Sequence, residues 1–382
     1  MRMRWDNSLR RQSFSLPALL EEIYNDLDRQ AKDILSVEEA RRLERVILTG
    51  CGDSNAAGMA VRFALMENLH IPVEAALTID VSREYPRWML GKNTLVIGVS
   101  VSGNGVRIEE VLEKANYCGA LTLAVTKNQN SGTGRLANRL LELPIPEFES
   151  GPGNRNYFAC VLALLLLGLR LGEWRGTVGV DEAQKRREAI RRQGELLETE
   201  ISAMDATMLR ISEQWRDYPA FDFVGAGADY SAAWFGHAKI LEAVGAMATH
   251  CNSEEWFHMN NFFRGPEQIG TTFVAGSCGM GFSRTREAVK YACRLGRPTL
   301  VVTEDPTLWE NMGAETVRVP ASVYQPATAL THYVPSCLLA GNIGAMIGEK
   351  NCRGCLGPWE FAAGGAFITG SDRMICDDTI IL

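Results

Sequence analysis

Short apolar runs that end in glycine- and serine-rich bends, each followed by a helix-period segment, restrict the fold of this chain more than any other feature. Arg45-Val46-Ile47-Leu48-Thr49 leads into Gly50-Cys51-Gly52-Asp53-Ser54, and a helical pattern follows from Asn55 to Asn68. Thr94 to Val99 leads into Ser100-Val101-Ser102-Gly103-Asn104-Gly105, and an amphipathic pattern follows from Val106 to Tyr117. Segments 73–79, 120–125 and 140–145 read as further strands, and Tyr157 to Leu171 as a mostly buried helix. Apolar runs this short, alternating with helices, indicate strands of a parallel α/β sheet covered on both faces.

The pattern then repeats. A charged, helix-period stretch from Val180 to Arg216 reads as a linking helix, after which Phe221 to Val224 ends in Gly225-Ala226-Gly227-Ala228-Asp229. Thr272 to Ala275 ends in Gly276-Ser277-Cys278-Gly279, and Thr299 to Thr303 resembles Thr122 to Thr126. Gly50 and Gly225 lie 175 positions apart, Gly103 and Gly279 176, and Thr126 and Thr303 177. A nearly constant shift points to an internal duplication; the plainer alternative is that glycine turns recur in all such folds. The expected organisation is a helical segment at 1–39, α/β domains at 40–175 and 216–350, a linking helix at 176–215 and a tail at 351–382. Leu16 to Leu35 has helical spacing, and Ser36 before Glu38 and Glu39 fits the start of another short helix.

Composition excludes several classes. With 39 Lys and Arg against 46 Asp and Glu, the chain carries a formal charge of -7 and no basic block, so nucleic acid is not an expected partner. The longest apolar stretch, Tyr157 to Leu169, is shorter than the roughly 20 residues a bilayer span needs. The basic start Met1-Arg2-Met3-Arg4 has no apolar stretch behind it, so neither membrane nor secretion is expected and the cytoplasm is. The ten cysteines are scattered, several in apolar segments, as reduced buried thiols are. Cys352-Arg353-Gly354-Cys355 has the spacing of half a zinc site but no nearby second pair, and no metal or other cofactor is expected.

Glycine lets backbone approach a ligand, and the following helix start offers N–H groups to an anion. Gly52, Ser54, Ser100, Ser102 and Gly103 therefore suit a phosphate or polyhydroxyl ligand. The chain has no complete G-x-x-x-x-G-K-[ST], and Asn55 stands where a dinucleotide fingerprint needs its third glycine. In the second half, His237, Lys239 and Glu242 fall on an apparent helix beginning near Tyr230, and Glu254, Glu255 and His258 follow. Lys239 and Glu242 are three apart and share a helix face, as Glu255 and His258 do by the same spacing. A carboxylate with an imidazole can move protons near neutral pH. The same residues also fit an exposed ion pair worth a few tenths of a kcal/mol and a packed core histidine.

Three motifs together resemble the tandem sugar isomerase (SIS) domains of fructosamine-6-phosphate deglycases and of the isomerase half of glucosamine-6-phosphate synthase, over about residues 40–350. Gly50-Cys51-Gly52-Asp53-Ser54 resembles the family's first phosphosugar turn, Ser100-Val101-Ser102-Gly103 its S-x-S-G turn, and Lys239-Ile240-Leu241-Glu242 the helix bearing its catalytic glutamate. His258, sixteen residues after Glu242, matches the family's catalytic histidine, and Glu255 an acidic residue three before it. The resemblance implies two α/β/α sandwiches of flavodoxin-like, parallel-sheet type. It further implies Glu242 and His258 as acid–base groups, Ser54, Ser100 and Ser102 on the sugar or its phosphate, and Asn154 and Arg155 on a substrate loop. The family's histidine comes from a neighbouring subunit, which implies a homodimer or larger homo-oligomer with a shared site.

The departures steer the choice within the family. Val101 and Gly105 stand where the family often has Gln and Thr, so two phosphate ligands are missing. Met259-Asn260 replaces a common Gly-Pro, and no lysine follows Lys350, although the isomerase has one in its tail. No amidotransferase-sized segment precedes residue 40. The expected activity is therefore deglycation: a fructosamine, 6-phosphorylated by the resemblance, is split into an aldose phosphate and an amine or amino acid. An isomerase or deaminating isomerase of amino-sugar phosphates, and a non-catalytic sugar-phosphate-binding module, are the alternatives.

Overall fold

Strand-forming runs that are apolar on both faces need helices above and below them, and the chain supplies both in alternation. A computed structural model describes residues 5–276, 279–349 and 371–373. The elements before the linking helix are α1 (Ser8–Phe14), α2 (Leu16–Asp33), α3 (Val37–Arg42), β1 (Arg45–Gly50), α4 (Asp53–Leu69), β2 (Val73–Leu77), α5 (Thr78–Arg83), β3 (Thr94–Val99), α6 (Val106–Tyr117), β4 (Leu121–Thr126), α7 (Gly132–Leu136), β5 (Arg139–Glu142) and α8 (Arg155–Arg175). The linking helix is α9 (Val180–Trp215). It is followed by β6 (Ala220–Gly225), α10 (Asp229–Ala243), β7 (Met247–Asn252), β8 (Ile269–Val274), α11 (Phe282–Arg294), β9 (Thr299–Thr303), β10 (Glu315–Arg318) and α12 (Val334–Met346).

The described residues form two compact units, one of 19–147, 156–188 and 371–373, the other of 5–18, 148–155, 189–276 and 279–349. The first holds a five-stranded sheet in the order β2-β1-β3-β4-β5, all parallel. The second holds β7-β6-β8-β9-β10, again all parallel. Numbered from their own first strands, both sheets read 2-1-3-4-5, the flavodoxin-like order. The duplication seen in the sequence is thus a duplication of topology. Its imprint is local too: a Cβ on Gly50 would lie 2.8 Å from Ser54, and one on Gly225 2.4 Å from the Asp229 carbonyl oxygen. In both units the first strand ends so close to the following helix that only glycine fits.

In the first unit α6 lays Ile108, Val111, Leu112 and Ala115 toward the sheet, a spacing of three and four that keeps one face apolar. Val111 and Ala115 join Ile47 and Val96 of the strands in one core cluster. Ser36 and Glu39 start α3 as a reciprocal capping box, each side chain accepting from the other's backbone amide. In the second unit Val224, Phe273 and Val301 of the sheet pack with Ala288, Val289 and Ala292 of α11 and with Trp256 and Trp309. Each such indole buries an area of order 200 Å², worth several kcal/mol of apolar transfer.

Some local expectations change. The strand read at 73–79 stops at Leu77, because Thr78 begins α5; Leu77 and Ile79 are about half exposed. Helix α8 has 21 residues, longer than its apolar stretch and long enough to span a bilayer, yet 83% of its most apolar window is buried inside the fold. The described cysteines, Cys51, Cys118, Cys160, Cys251, Cys293 and Cys337, are free thiols. Burial pushes Cys160 up to about 12. The Cys352/Cys355 pair and most of the 351–382 tail lie outside the described residues.

One buried imidazole ties the carboxyl ends of the second sheet together. Asp229, at the start of α10, accepts from the Gly276 amide after β8 at 2.8 Å and from His332 Nδ1 at 2.8 Å. Glu304, just after β9, lies 3.5 Å from His332 Nε2, a charge contact rather than a good hydrogen bond. Burial opposes charging the ring, but Asp229 and then Glu304 outweigh it and push the pKa from 6.5 up to about 9. The folded chain then holds a proton that the unfolded chain releases, so this contribution is complete below pH 6.5 and is lost as pH rises through about 9. In thermal melts the wild type should lose stability from pH 6.5 to 9, and His332→Gln should start lower and lack that slope. An identical slope in the variant contradicts the assignment.

Candidate functional site

The order 2-1-3-4-5 reverses between β1 and β3, and ligands of open α/β sheets bind beyond the carboxyl ends of such strands. In the first unit the chain places its two serine-bearing turns there. Gly52, with φ +56°, precedes α4, and the amide of Ser54 donates to the Cys51 carbonyl at 3.1 Å. Cys51 is exposed, with its sulfur 3.1 Å from the Thr78 hydroxyl. In the second turn the Gly103 amide donates to the Ser100 carbonyl and the Thr133 amide to the Gly103 carbonyl. Among the described residues the hydroxyls of Ser54 and Ser100 have no partner, while Ser102 Oγ accepts one long contact, 3.5 Å, from the Asn104 amide. The turns thus offer hydroxyls and helix-start amides to a ligand.

The acid–base candidates lie in the second unit. Lys239 and Glu242 sit one turn apart near the end of α10, and Lys239 Nζ donates to Glu242 Oε2 at 2.7 Å. The lysine side chain has no exposed surface and the glutamate side chain is 36% exposed, which excludes the surface-pair alternative. The ammonium also lies 4.5 Å from the centre of the Phe235 ring, a cation–π contact. A buried charge persists when paired, and stripping its partner costs about 3–5 kcal/mol. Lys239 therefore fixes the carboxylate while leaving part of it open to solvent.

His258 is exposed, its side chain 63% accessible, so it is not a packed core histidine. Glu255 and His258 do not form the expected side-chain pair. Glu255 opens a single 3-10 turn (Glu255–Phe257) whose carbonyl takes the His258 amide, and the imidazole instead meets Glu254 at 3.3 Å. Arg284 of α11 holds that carboxylate at 2.5 Å and lies 3.9 Å over the Phe257 ring. Among the described residues no hydrogen bond or ion pair joins Glu242 to His258.

Asn154 and Arg155 are engaged within the fold rather than presented to a ligand. Asn154 is fully buried; its amide nitrogen donates to Ser13 Oγ at 2.8 Å and its oxygen accepts from the Tyr333 hydroxyl at 2.9 Å. Arg155 donates to Ser15 Oγ at 2.7 Å and stacks 4.4 Å over the Phe148 ring. Sequence reading also passed over His250, whose ring lies 4.2 Å from that of His237 on α10. Burial, then His237, pushes His250 down to about 4, and burial also lowers His237 although Glu242 opposes it. His250 stands on β7, and its ring packs at a tilt of 37° against that of His237 on the helix that carries Glu242.

Comparisons with known proteins agree with the fold. Residues 41–170 match the SIS domain family. The glutamine–fructose-6-phosphate aminotransferase (isomerizing) of Mycolicibacterium smegmatis is 26% identical over 208 residues, 54% of this chain and 33% of that protein. Its counterpart in Thermus thermophilus is 24% identical over 319 residues, 81% of this chain and 51% of that protein. The chain thus spans a third to a half of these relatives' lengths. Among solved structures, the C-terminal domain of glucosamine-fructose-6-phosphate aminotransferase from Francisella tularensis superposes with a TM-score of 0.79 at 16% identity, over 90% of this chain and 97% of that one. Glucosamine-6-phosphate deaminase from Thermotoga maritima gives 0.67 at 15% identity, over 91% and 97%. At such identities the likeness is one of fold.

The S-x-S turn depends on Gly103, which has φ +72° and would place a Cβ 1.9 Å from Ser131 Oγ, the cap of α7. Left-handed strain and the clash together should make Gly103→Ala cost about 2–4 kcal/mol. Chemical denaturation measures it, and a loss within about 0.5 kcal/mol, ordinary for a neutral surface change, contradicts the turn geometry.

Proposed function

We propose that this chain, whose residues 41–170 match the SIS domain family, is a deglycase: it splits a 6-phosphorylated fructosamine into an aldose phosphate and an amine or amino acid. The observation that carries the reading is the carboxylate of Glu242, held at 2.7 Å by a lysine without exposed surface yet itself open to solvent. Such a carboxylate is oriented, as a base needs to be.

The reaction reverses an Amadori rearrangement. A base takes a proton from C1 of the ketoamine, and the electrons of that C–H bond form the C1=C2 bond of an enaminol as the C2 carbonyl oxygen gains a proton. Reprotonation at C2 then gives the imine of the aldose. Water adds to the imine carbon, and the carbon–nitrogen bond breaks to leave aldose phosphate and free amine. Glu242 and His258 divide the proton transfers. Ser54, Ser100, Ser102 and the neighbouring amides hold the phosphate or sugar hydroxyls. The exposure of His258 suits donation to a site in a second copy of the chain.

A second reading is an aldose–ketose isomerase or deaminating isomerase, favoured by the fructose 6-phosphate and glucosamine 6-phosphate in the names of the similar proteins. The products decide. Incubated with a 6-phosphofructosyl amino acid, the protein should release the free amino acid with an aldose phosphate, and Glu242→Gln should lose about 10²–10⁴ in rate. Conversion of fructose 6-phosphate or glucosamine 6-phosphate without any action on the ketoamine rejects deglycation. For the shared site, mixing Glu242→Ala with His258→Ala chains should restore part of the activity; no recovery rejects sharing.

A further inference from the structure

His258 sits on the surface, and the exposed contacts around it are poor anchors. The Glu254–His258 and Glu254–Arg284 pairs are solvent-screened, and such pairs contribute little to holding a segment in place. The stronger hold comes from beneath. Asp222, in β6, has no exposed surface, and its carboxylate accepts four hydrogen bonds. Oδ1 takes Thr249 Oγ1 at 2.9 Å and Asn260 Nδ2 at 2.7 Å. Oδ2 takes Trp256 Nε1 at 2.9 Å and Arg297 Nη1 at 2.8 Å. Arg297, equally buried, donates in addition to the Asn260 carbonyl and to Thr271 Oγ1.

Two of these donors bracket His258. Trp256 lies two residues before it and Asn260 two residues after, and both end on the same carboxylate. The intervening chain can only bulge outward, with His258 and Met259 at its exposed crest. The carboxylate balances the equally buried Arg297 guanidinium. Through Trp256 and Asn260 the same charge organises the segment that carries the imidazole.

We propose that Asp222 is the positioning residue for His258: its carboxylate clamps Trp256 and Asn260 and thereby sets where the imidazole is presented. The proposal rests on the reading of His258 as a proton-transfer group, and its test separates the two. In Asp222→Asn, hydrogen exchange across 253–263 should quicken about tenfold while α10 keeps its protection, since local opening is governed by local contacts. With the ketoamine substrate, kcat should fall by up to about 10²-fold at unchanged KM, and the substitution should cost nothing further in a His258→Ala chain, because it acts through that ring. Asn260→Ala, which removes one clamp and leaves the Asp222–Arg297 pair, should shift both readouts the same way and serves if Asp222→Asn does not fold. Unchanged exchange at 253–263 overturns the proposal even if no ketoamine is turned over. An undiminished loss of kcat in the His258→Ala background overturns it as well.

Discussion

An ammonium without exposed surface, facing a carboxylate partly in water, is the interaction around which the candidate site is organised. Lys239 Nζ lies 2.7 Å from Glu242 Oε2, with the Phe235 face close by. Two buried charges packed poorly would cost more than they return; here one partner reaches solvent and the helix fixes the spacing. The sheet determines where the pair stands. Parallel strands β6 and β7 seat α10, and α10 brings His237, Lys239 and Glu242 into one neighbourhood.

The two halves of the duplication share a topology and differ in chemistry. In the first unit the Ser54 and Ser100 hydroxyls at the strand ends have no partner among the described residues. In the second unit the corresponding turn places Asp229 against the Gly276 amide and His332.

Much of this was legible. The strands β1, β3, β4, β6, β8 and β9 are apolar on both faces and stand out in the sequence. The edge strands β7 and β10 are largely polar, with no neighbour on one side among the described residues, so they give no apolar signal. Helix α12 was hidden by Gly341 and Gly344, which weaken a helix in isolation but here admit Leu9 of α1 and Ala243 of α10 to close packing. The spacing of three between Lys239 and Glu242 translated directly into a contact because the segment is an α-helix. The same spacing failed for Glu255 and His258 because that segment is a 3-10 turn, and Glu254 became the partner. Asp222 left one signal that was passed over, a lone charge inside the apolar run Phe221 to Val224. The engagement of Asn154 by Ser13 and Tyr333 had none, since those partners are distant in sequence.

The central claim is that Glu242 moves a proton at the carbon beside the substrate nitrogen. Running the reaction in heavy water and locating deuterium in the released aldose phosphate by NMR tests it directly. Deuterium at C2 of the wild-type product, with neither label nor product from Glu242→Gln, is the expected result. Product formed by Glu242→Gln at the wild-type rate, with the same deuterium content at C2, would contradict it.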